Sequence, residues 1–453
     1  MKMASRTLSL PLRRSAYTCD LCLNSVRPTK NVRLATIRTL TNASSQSQPL
    51  PPQRGLCVLR RPKASLQASN IFTRRCESSQ FYSTESATPQ SIASGFAPLP
   101  HRHLISLSGA DAPKFLHGLI TNNVDSTRLS PFYSAFLDAR GRVLWDVFVW
   151  VWPELVAKNG NWACYIEVDA NEVESLKKHL KKHKLRSKIA IKDVPEDGPE
   201  GIRVWAAWGG AHEQVQEWSE VAGLQDPRAP GLYRYLANAD RDTIADGLQP
   251  VDTKYYHIQR YLYGVPEGQT DIPRETALPM ECNIDLNGGI DFKKGCYVGQ
   301  ELTIRTKHTG VVRKRILPVR FQPKDAQSSS QDTTQPSNYD PSFSPTPSPN
   351  TDIKALDESG AVRKGRATGK IVAALGNVGL ASCRLENMTP MRVSAEGGTY
   401  KPGMQFGVDV DGEVVRVEPV LYDWFVQRKQ VLWDREDRKR IMSAREQDNA
   451  ELE

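Results

Sequence analysis

The side chains best suited to chemistry lie together in one short segment, Lys294-Gly295-Cys296-Tyr297-Val298-Gly299-Gln300-Glu301. A thiolate is a nucleophile and a soft metal ligand, and a nearby ammonium such as that of Lys294 favours the thiolate over the thiol. Glycine lets the backbone take a left-handed conformation or pass close to another surface, so Gly295 and Gly299 predict that Cys296 lies on a tight turn. The alternative is a buried cysteine that only fills space, since cysteines outside disulfides are among the most buried residues.

The elements that must position this segment can be predicted from the flanking sequence. The β-branched and aromatic run 143–151 is typical of a strand. Residues 170–184 predict a helix with Val173, Leu176 and Leu180 on its apolar face. A second helix is expected over 252–263, with Tyr255, Ile258 and Leu262 inward, and further strands at 316–321, 369–372 and 414–421.

The cysteine segment carries a family resemblance. Residues 292–301 resemble the signature of the YgfZ-type folate-binding proteins, whose mitochondrial members are iron–sulfur cluster assembly factors of the Iba/Caf type. These proteins belong to the superfamily of the glycine-cleavage T protein, an aminomethyltransferase. The resemblance covers residues 98–320 well and 365–425 loosely, and its further matching segments are 107–112, 115–122, 135–143, 256–264 and 278–283.

The resemblance implies an α+β fold of the GcvT/aminomethyltransferase-like folate-binding type, with two interleaved α+β subdomains and a small C-terminal β-barrel. We therefore expect a GcvT-like folate-binding domain over 98–315 and the barrel domain over 316–425. Residues 323–360 begin rich in Ser, Pro, Gln and Thr and lack apolar periodicity, which predicts a disordered insertion. Residues 426–453 form a charged tail, expected to be a partly frayed helix, to which no chemistry is assigned.

Charge is distributed unevenly along the chain. The first 76 residues hold 14 of the 60 basic residues but only one of the 51 acidic residues, so residues 77–453 carry 46 basic and 50 acidic residues. An Arg- and Ser-rich, acid-poor start is typical of a mitochondrial transit peptide, so residues 1–97 are interpreted as transit peptide and disordered linker, and the location as the mitochondrial matrix. No run of 18 apolar residues occurs, which predicts no membrane span.

The family resemblance also implies a tetrahydrofolate pocket. Carboxylates would hold the pterin end and arginines the glutamate tail, because a guanidinium binds a carboxylate in a bidentate manner. The run Asp138-Ala139-Arg140-Gly141 is also a plausible β-turn. Trp145 stands where the aminomethyltransferases carry an acidic residue, which argues against methylene transfer. The candidates are Asp138, Asp146, Glu281 and Asn283 for the pterin, and Arg142, Arg234 and Arg260 for the tail.

The first functional hypothesis is iron–sulfur cluster assembly, in the maturation of proteins with four-iron clusters. Clusters usually take four protein ligands, and the chain has no four-cysteine constellation, so Cys296 would share a cluster with a partner. The family resemblance implies that this partner is an A-type scaffold protein. Lys294 and Arg305 would balance the cluster charge, while Gln300 and Glu301 would fix the loop. His308 is a further candidate ligand, although a solvated loop residue is the commoner interpretation. No catalytic residue is assigned.

Two other hypotheses stay open. One is a folate-dependent one-carbon transferase, moving an aminomethyl or methyl group, because one fold hosts several functions. The other is a nucleic-acid binder that uses the lysine cluster of residues 177–188. The net negative charge of residues 77–453 argues against nucleic acid as a partner. Iron–sulfur client enzymes and A-type scaffold proteins are therefore the expected partners.

Overall fold

The computed structural model describes residues 93–216, 222–239, 249–326 and 338–433. The transit peptide and most of the linker predicted over 1–97 lie outside these ranges, as do residues 434–453 of the charged tail. None of the described helices is both long and apolar enough to cross a membrane.

The first domain mixes helices and strands. Its elements in chain order are β1 Gly95–Pro98, β2 Arg102–Ser108, α1 Ala112–His117, β3 Phe132–Leu137, β4 Val143–Trp150, α2 Pro153–Asn159, β5 Ala163–Asp169, α3 Val173–Lys184, β6 Ala190–Asp193, β7 Ile202–Trp208, α4 Ala211–Gln216, β8 Ala222–Gln225, β9 Leu232–Asn238, α5 Thr253–Tyr263, α6 Gly268–Asp271 and α7 Gln300–Thr309.

The second domain is a closed barrel followed by a helix. Its elements are β10 Lys314–Pro323, β11 Asp352–Ala355, β12 Gly369–Leu375, β13 Val378–Arg384, α8 Leu385–Met388, β14 Phe406–Val410, β15 Glu413–Pro419 and α9 Asp423–Trp433. The barrel strands follow the order β10-β13-β12-β11-β14-β15 and are all antiparallel to their neighbours.

The first domain contains two antiparallel sheets, and the chain contributes strands first to one sheet, then to the other, and then to the first again. The five-stranded sheet has the order β3-β4-β5-β2-β6, and the four-stranded sheet has the order β1-β7-β9-β8. Strand β1 joins the four-stranded sheet although it precedes every strand of the other sheet. This exchange confirms the interleaved α+β subdomains, and it places β1 inside the region predicted to be linker.

Strand β4 shows why this domain has two cores. All eight of its residues are buried, so both faces of the five-stranded sheet are covered. Phe148 and Trp150 face a core shared with the four-stranded sheet, whereas Val147 and Val149 face a core shared with α1 and α3. Burial of each such large side chain contributes roughly 1.5–3 kcal/mol, which favours the strand strongly.

The two predicted helices are confirmed with small changes at their ends. Residues 170–172 form a 3₁₀ turn before α3, whose Val173, Leu176 and Leu180 are buried as expected. Helix α5 begins after Asp252, whose side chain accepts a hydrogen bond from the Lys254 amide as an N-cap. Ile258 and Leu262 are buried in α5, while Tyr255 is half-buried.

The barrel corrects part of the predicted insertion. Strands occur at the three predicted places, but β11 lies within 323–360 and pairs with β12 and β14. The prediction of disorder is therefore wrong for 352–355, and residues 327–337 lie outside the described ranges. Strand β11 was missed because only Ile353 of its four residues is fully buried, so it carries no apolar run.

Helix α9 joins the end of the barrel to the first domain. Just before it, the Tyr422 hydroxyl donates to the Leu262 carbonyl at 2.8 Å. Further along, Arg428 donates to the Pro227 carbonyl at 2.8 Å, and the Trp433 indole donates to Asp285 at 2.8 Å. The start of the predicted tail is thus an ordered helix that packs on the segment preceding Cys296.

Candidate functional site

Cys296 lies in an irregular loop just before α7, and its side chain is exposed. The other cysteines that the structure describes, Cys164, Cys282 and Cys383, are buried. Burial raises the pKa of each of these three thiols, because a thiolate is poorly solvated there. Within the described ranges, Cys296 is therefore the cysteine that can meet a partner or a metal, and the space-filling interpretation does not apply to it.

Lys294 anchors the loop to the end of α1. Its Nζ donates to the carbonyl oxygens of His117 at 2.6 Å, Ile120 at 2.7 Å and Asn122 at 2.8 Å. Burial lowers the pKa of Lys294 to about 7, whereas three carbonyl acceptors favour the ammonium, which has three protons to donate. The Val298 amide adds a bond to the Gly118 carbonyl at 3.1 Å, so both sides of Cys296 are fixed.

His117 faces the same loop. A methyl group placed on Gly295 would lie 3.5 Å from its Nε2 atom. Its Nδ1 contacts the Val124 backbone, 3.0 Å from the carbonyl oxygen and 3.3 Å from the amide nitrogen that donates to it, so the ring is held in place. Burial and the Lys294 ammonium lower the pKa of His117. The imidazole of His117 therefore lies beside the residue that precedes Cys296.

The two glycines of the motif act differently. Gly299 has a φ of +81°, and a Cβ on it would lie 2.3 Å from the Asp138 carbonyl oxygen. Gly141, in the β3–β4 turn, also has a left-handed backbone and faces Gly299 and Leu302. Gly295 is not left-handed, and the other predicted reason for a glycine applies to it: its backbone passes close to another surface, the ring of His117.

The remaining motif residues divide between the loop and α7. Tyr297 is buried, its ring lies 4.7 Å from the Lys294 Nζ, and its amide donates to Gln300 Oε1 at 3.3 Å. Gln300 thus fixes the loop as predicted. Glu301, Arg305 and His308 are exposed along α7. A partner docked at Cys296 can reach these three side chains, and Glu301 also complements the positive end of the helix.

No group of three or more potential metal-ligating residues occurs in the described ranges. Cys296 is exposed at the loop, and the His117 imidazole lies beside Gly295. A cluster held here needs further ligands from a second molecule, since cluster iron is usually held by four protein ligands in all.

Three of the predicted folate contacts belong to a buried charge cluster in the first domain. Its members are contributed by both sheets, by α5 and by the loops around them, and none is more than 4% exposed. We define this buried charge cluster as Arg102, Asp146, Glu167, Asp226, Arg228, Arg234, Arg260, Glu267 and Asp271.

The arginines of the cluster are already bound to carboxylates. Arg234 pairs with Glu167 at 2.6 Å and also with Glu267, while Arg260 pairs with Asp271 at 2.7 Å. Burial alone would raise the pKa of Glu267, but the Arg234 and Arg228 guanidinium groups hold it well below its usual range. These contacts account for the burial of so many charges, since a buried charge must be paired.

Asp146 has a different environment. One carboxylate oxygen accepts from the Gly268 amide at 3.0 Å, whereas Oδ2 has no hydrogen-bond partner and lies 3.7 Å from Arg102 Nη1. Burial raises the pKa of Asp146. The orphaned Oδ2 can accept a further donor. The Nε atoms of Arg234 and Arg260 also have no hydrogen-bond partner, whereas the terminal nitrogens of both guanidinium groups are engaged by protein acceptors. A glutamate tail that bound either arginine in a bidentate manner would compete with those acceptors.

The other four predicted folate residues lie elsewhere. Arg142 and Glu281 line a cavity of ≈ 660 Å³ between the first domain and the barrel. Asp138 accepts from the Arg140 and Arg142 amides, so it forms the turn that the alternative interpretation predicted. Asn283 is buried, and its amide donates to the Ile316 carbonyl at 2.6 Å. The structure therefore does not bring the seven residues together into one site.

Sequence reasoning missed the anchoring role of Lys294 and several members of the charge cluster. Arg102 and Glu167 were not proposed, although a charged residue inside an apolar strand, such as Glu167 in Tyr-Ile-Glu-Val, is a signal of a buried ion pair. Trp145, whose position argued against transfer chemistry, faces α3, and its indole donates to Glu172. It lies on the opposite face of β4 from Asp146.

Comparison with known proteins agrees with the motif and the fold. The family model described as "CAF17, C-terminal beta-barrel domain" matches residues 313–427. The glycine cleavage system aminomethyltransferase T of Bartonella henselae matches with a TM-score of 0.53 and 12% identity, over 75% of this chain and 89% of that chain. At this low identity the likeness concerns the fold alone, and it confirms the predicted GcvT-like architecture.

Curated relatives are much closer in sequence. A protein of Phaeosphaeria nodorum is 65% identical over 376 residues, which cover 83% of this chain and 91% of the relative. A protein of Aspergillus fumigatus is 40% identical over 378 residues, which cover 76% and 82%. Both are described as "Iron-sulfur cluster assembly factor IBA57 homolog, mitochondrial". These relatives confirm the predicted mitochondrial location, and with their high identity and long coverage the chain belongs to the family of mitochondrial iron–sulfur cluster assembly factors of the IBA57 type.

Proposed function

We propose that this protein shares an iron–sulfur cluster with an A-type scaffold protein in the mitochondrial matrix, and that Cys296 supplies one ligand. A role in iron–sulfur cluster assembly follows from the family. The observation that carries the finer proposal is the exposure of Cys296 on a loop fixed from both sides by Lys294 and Val298. A fixed loop presents the sulfur at little cost in conformational entropy, which favours binding.

The proposed step is a ligand exchange. The Cys296 thiol gives its proton to solvent, and its sulfur forms a bond to one iron of the cluster that the partner carries. That iron releases one water or one protonated partner thiol in return, so no electron is transferred. Soft thiolate sulfur suits cluster iron, and exposed Arg305 lies one helix turn beyond the loop, where it supports the negative charge of the cluster.

The test is anaerobic reconstitution of the full chain with an A-type scaffold, iron and sulfide, followed by size exclusion and visible absorption. Because Cys19, Cys22, Cys57 and Cys76 also bind iron when exposed, all variants carry serine at these four positions. We compare Cys296 intact with Cys296→Ser. The matched control is Cys282→Ala, which removes one buried thiol.

We expect a coloured heterocomplex from the parent and from Cys282→Ala, and a colourless or short-lived complex from Cys296→Ser. The proposal fails if Cys296→Ser forms a complex with the same absorption and lifetime. In that event the scaffold alone holds the cluster, and the loop has another role.

Maturation of four-iron client enzymes would follow from this exchange. We propose that loss of Cys296 lowers the activity of such enzymes in mitochondria without lowering the amount of this protein. Complementation by Cys296→Ser in cells that lack the chain checks this point, with the protein level measured beside aconitase-type activity.

Tetrahydrofolate stays a prediction for this chain. The pairing of Arg234 with Glu167 and of Arg260 with Asp271 supports a structural role for these arginines. No observation at the site favours the one-carbon transferase alternative. A folate tail bound at Arg234 or Arg260 would compete with the protein carboxylates that already hold them, so we expect weak binding at these arginines in calorimetry.

A further inference from the structure

A second surface lies close to the cysteine loop and carries only positive charge. Residues 175–192 contain seven lysines, one arginine and no acidic residue, whereas the rest of residues 77–453 carries 38 basic and 50 acidic residues. The rest of this part of the sequence thus carries a net negative charge, and residues 175–192 concentrate positive charge within it. We define the basic face as Lys178, Lys181, Lys182, Lys184, Arg186 and Lys188.

The basic face follows one side of α3. Lys178, Lys181 and Lys182 have the spacing of neighbours on one helix face, away from the buried Leu176 and Leu180. No side-chain nitrogen of the basic face lies within 4.0 Å of a carboxylate oxygen in the part of the chain that the structure describes. Lys177, by contrast, is bound to Glu174 and Asp193. The charge of the basic face is thus not neutralised within the described chain.

Leu185 is an exposed apolar residue at the C-terminal end of α3, next to the basic face. It ends α3 with a left-handed φ of +45°, and it is 89% exposed. The other exposed large hydrophobic residue of the described ranges, Leu129, is 41% exposed. Burial of a leucine contributes roughly 1.5–3 kcal/mol, so Leu185, which lies between Lys184 and Arg186 in the sequence, is available as an apolar anchor.

Helix α1 connects the basic face to the cysteine loop. The Lys188 amide donates to Asp111 at 2.7 Å, at the start of α1, and Lys294 donates to His117, at its end. A helix of six residues is about 9 Å long. A protein interface of ordinary size covers about 800 Å² on each partner, a disc of roughly 16 Å radius. A partner centred on Cys296 therefore also covers Lys188.

We infer that the basic face docks an acidic surface of the protein that carries the cluster. The inference rests on the proposed function, because it concerns the partner of the same site. Thiolate-ligated clusters are anionic, and the basic face attracts both the cluster and the acidic surface around it. Charges at the rim of an interface mainly raise the association rate and its salt dependence, whereas a buried apolar side chain mainly slows dissociation.

A protein partner fits this surface better than a nucleic acid does. Single-stranded nucleic acids are held by aromatic side chains that stack on bases, and the exposed large hydrophobic residues in the described ranges are two leucines and no aromatic. The continuity with the cysteine loop through α1 also favours one partner that contacts both.

The experiment measures association of the full chain with a cluster-loaded A-type scaffold by stopped flow, at ionic strengths from about 20 to 300 mM. The test variant is the triple change Lys181→Glu, Lys182→Glu and Lys188→Glu. The matched control is Lys364→Glu, Arg366→Glu and Lys401→Glu, which reverses three exposed charges on the barrel. Both triples change the net charge by the same amount.

We expect the α3 triple to lower the association rate roughly tenfold or more at low salt and to remove most of the salt dependence, with the barrel triple within about twofold of the wild type. Leu185→Ser should raise the dissociation rate while leaving the association rate unchanged. Equal effects of the two triples, or an unchanged rate in the α3 triple, overturn the inference. So does binding of RNA or anionic phospholipid vesicles that the α3 triple abolishes while scaffold association is unchanged.

Failure of the proposed function is distinguishable from failure of this inference. Cys296→Ser should associate with the same salt dependence but without taking the cluster. If Cys296→Ser keeps the cluster, the proposed function fails, and the two triples still decide the docking surface. If Cys296→Ser loses the cluster and the two triple variants behave alike, the inference about the docking surface fails while the proposed function stands.

Discussion

At the scale of single residues, the cysteine site depends on a lysine that never needs to touch the cluster. Lys294 donates to three carbonyl oxygens of the segment 117–122. A single side chain therefore satisfies acceptors at the end of α1 and holds the loop that presents Cys296. An arginine is too large and planar for three convergent carbonyls, whereas an ammonium matches them.

Lys294→Met should test this anchoring role. Methionine keeps the length of the side chain and removes the donors, so three acceptors lose their partner, and we expect about 2 kcal/mol lower free energy of unfolding. We also expect loss of the shared cluster although Cys296 is intact, because the loop is no longer fixed. Urea unfolding and the reconstitution described above are the measurements.

The neighbour Lys293 offers a matched control, because its side chain is exposed. Lys293→Met should leave both stability and cluster sharing close to the wild type. An equal loss of cluster sharing in the two variants would show that charge near the loop matters and that anchoring does not. No loss in Lys294→Met would show that neither matters.

The sequence predicted Cys296 but could not predict the role of Lys294. A short motif identifies the reactive residue because glycine, lysine and cysteine lie within a few positions of one another. The acceptors of Lys294 lie more than 170 residues earlier, and no local pattern encodes them. The same holds for Glu267, whose partners Arg228 and Arg234 come from a different sheet and loop.

At the scale of elements, the site depends on close packing of the β3–β4 turn against the start of α7. Gly299 approaches the Asp138 carbonyl, and Gly141 approaches Gly299 and Leu302. Any side chain at position 299 has to push the turn away from the helix. The turn also contributes Arg142 to the cavity beside the barrel, so its position matters on both sides.

Gly299→Ala should be much more harmful than an ordinary glycine substitution. The new Cβ would lie 2.3 Å from a backbone oxygen, and φ is left-handed, so we expect about 3 kcal/mol of destabilisation or a displaced loop, since left-handed strain alone costs roughly 1–2 kcal/mol. Thermal and urea unfolding measure the stability, and hydrogen exchange of residues 291–300 measures the displacement.

Gly310→Ala distinguishes the cost of a left-handed backbone from the cost of a steric clash of the new Cβ. Gly310 ends α7 with a φ of +73°, yet nothing lies within 4 Å of its added Cβ. We expect about 1 kcal/mol for this variant and normal exchange in the loop. If Gly310→Ala is as harmful as Gly299→Ala, close approach of the turn is not the cause.

The predictability of elements followed the strength of their apolar periodicity. Helices α3 and α5 were predicted nearly to their ends, since each buries a clear apolar face. Strand β11 was missed because its four residues are held by pairing in the barrel and carry little periodicity of their own. The family resemblance supplied the barrel itself, which local patterns only indicated.

At the scale of the whole molecule, the buried charge cluster joins the two sheets of the first domain. Arg102 comes from β2, Glu167 from β5 and Arg234 from β9, so the two sheets are linked through Glu167 at 2.9 Å and 2.6 Å. Glu267, from the loop before α6, pairs with Arg228 and Arg234 and accepts from Tyr256 at 2.8 Å. Removal of one charge leaves its partners buried and uncompensated.

Two groups of this region make stability fall with acid. Burial and the nearby Arg260 lower the pKa of His257 to about 3, so the unfolded chain, with an ordinary histidine pKa near 6.5, takes up a proton first. Glu267 has a folded pKa well below its usual value of about 4.5, so it also favours proton uptake by the unfolded chain. Stability is therefore complete above about pH 6.5 and decreases as the pH falls.

Glu267→Gln should lower stability at neutral pH and weaken the further loss of stability in acid. At pH 7.5 we expect about 3–5 kcal/mol of destabilisation, because two buried arginines lose a shared carboxylate. Between pH 5 and pH 3.5 the variant should lose less further stability than the wild type, since the group that titrates there is gone. Urea midpoints at pH 7.5, 5 and 3.5 measure this, with Glu275→Gln as the control because its side chain is 51% exposed.

Parallel pH profiles for wild type and Glu267→Gln would mean that the acid sensitivity arises outside the cluster. In that case His257→Gln, which keeps an acceptor for Arg260, tests the contribution of the histidine alone.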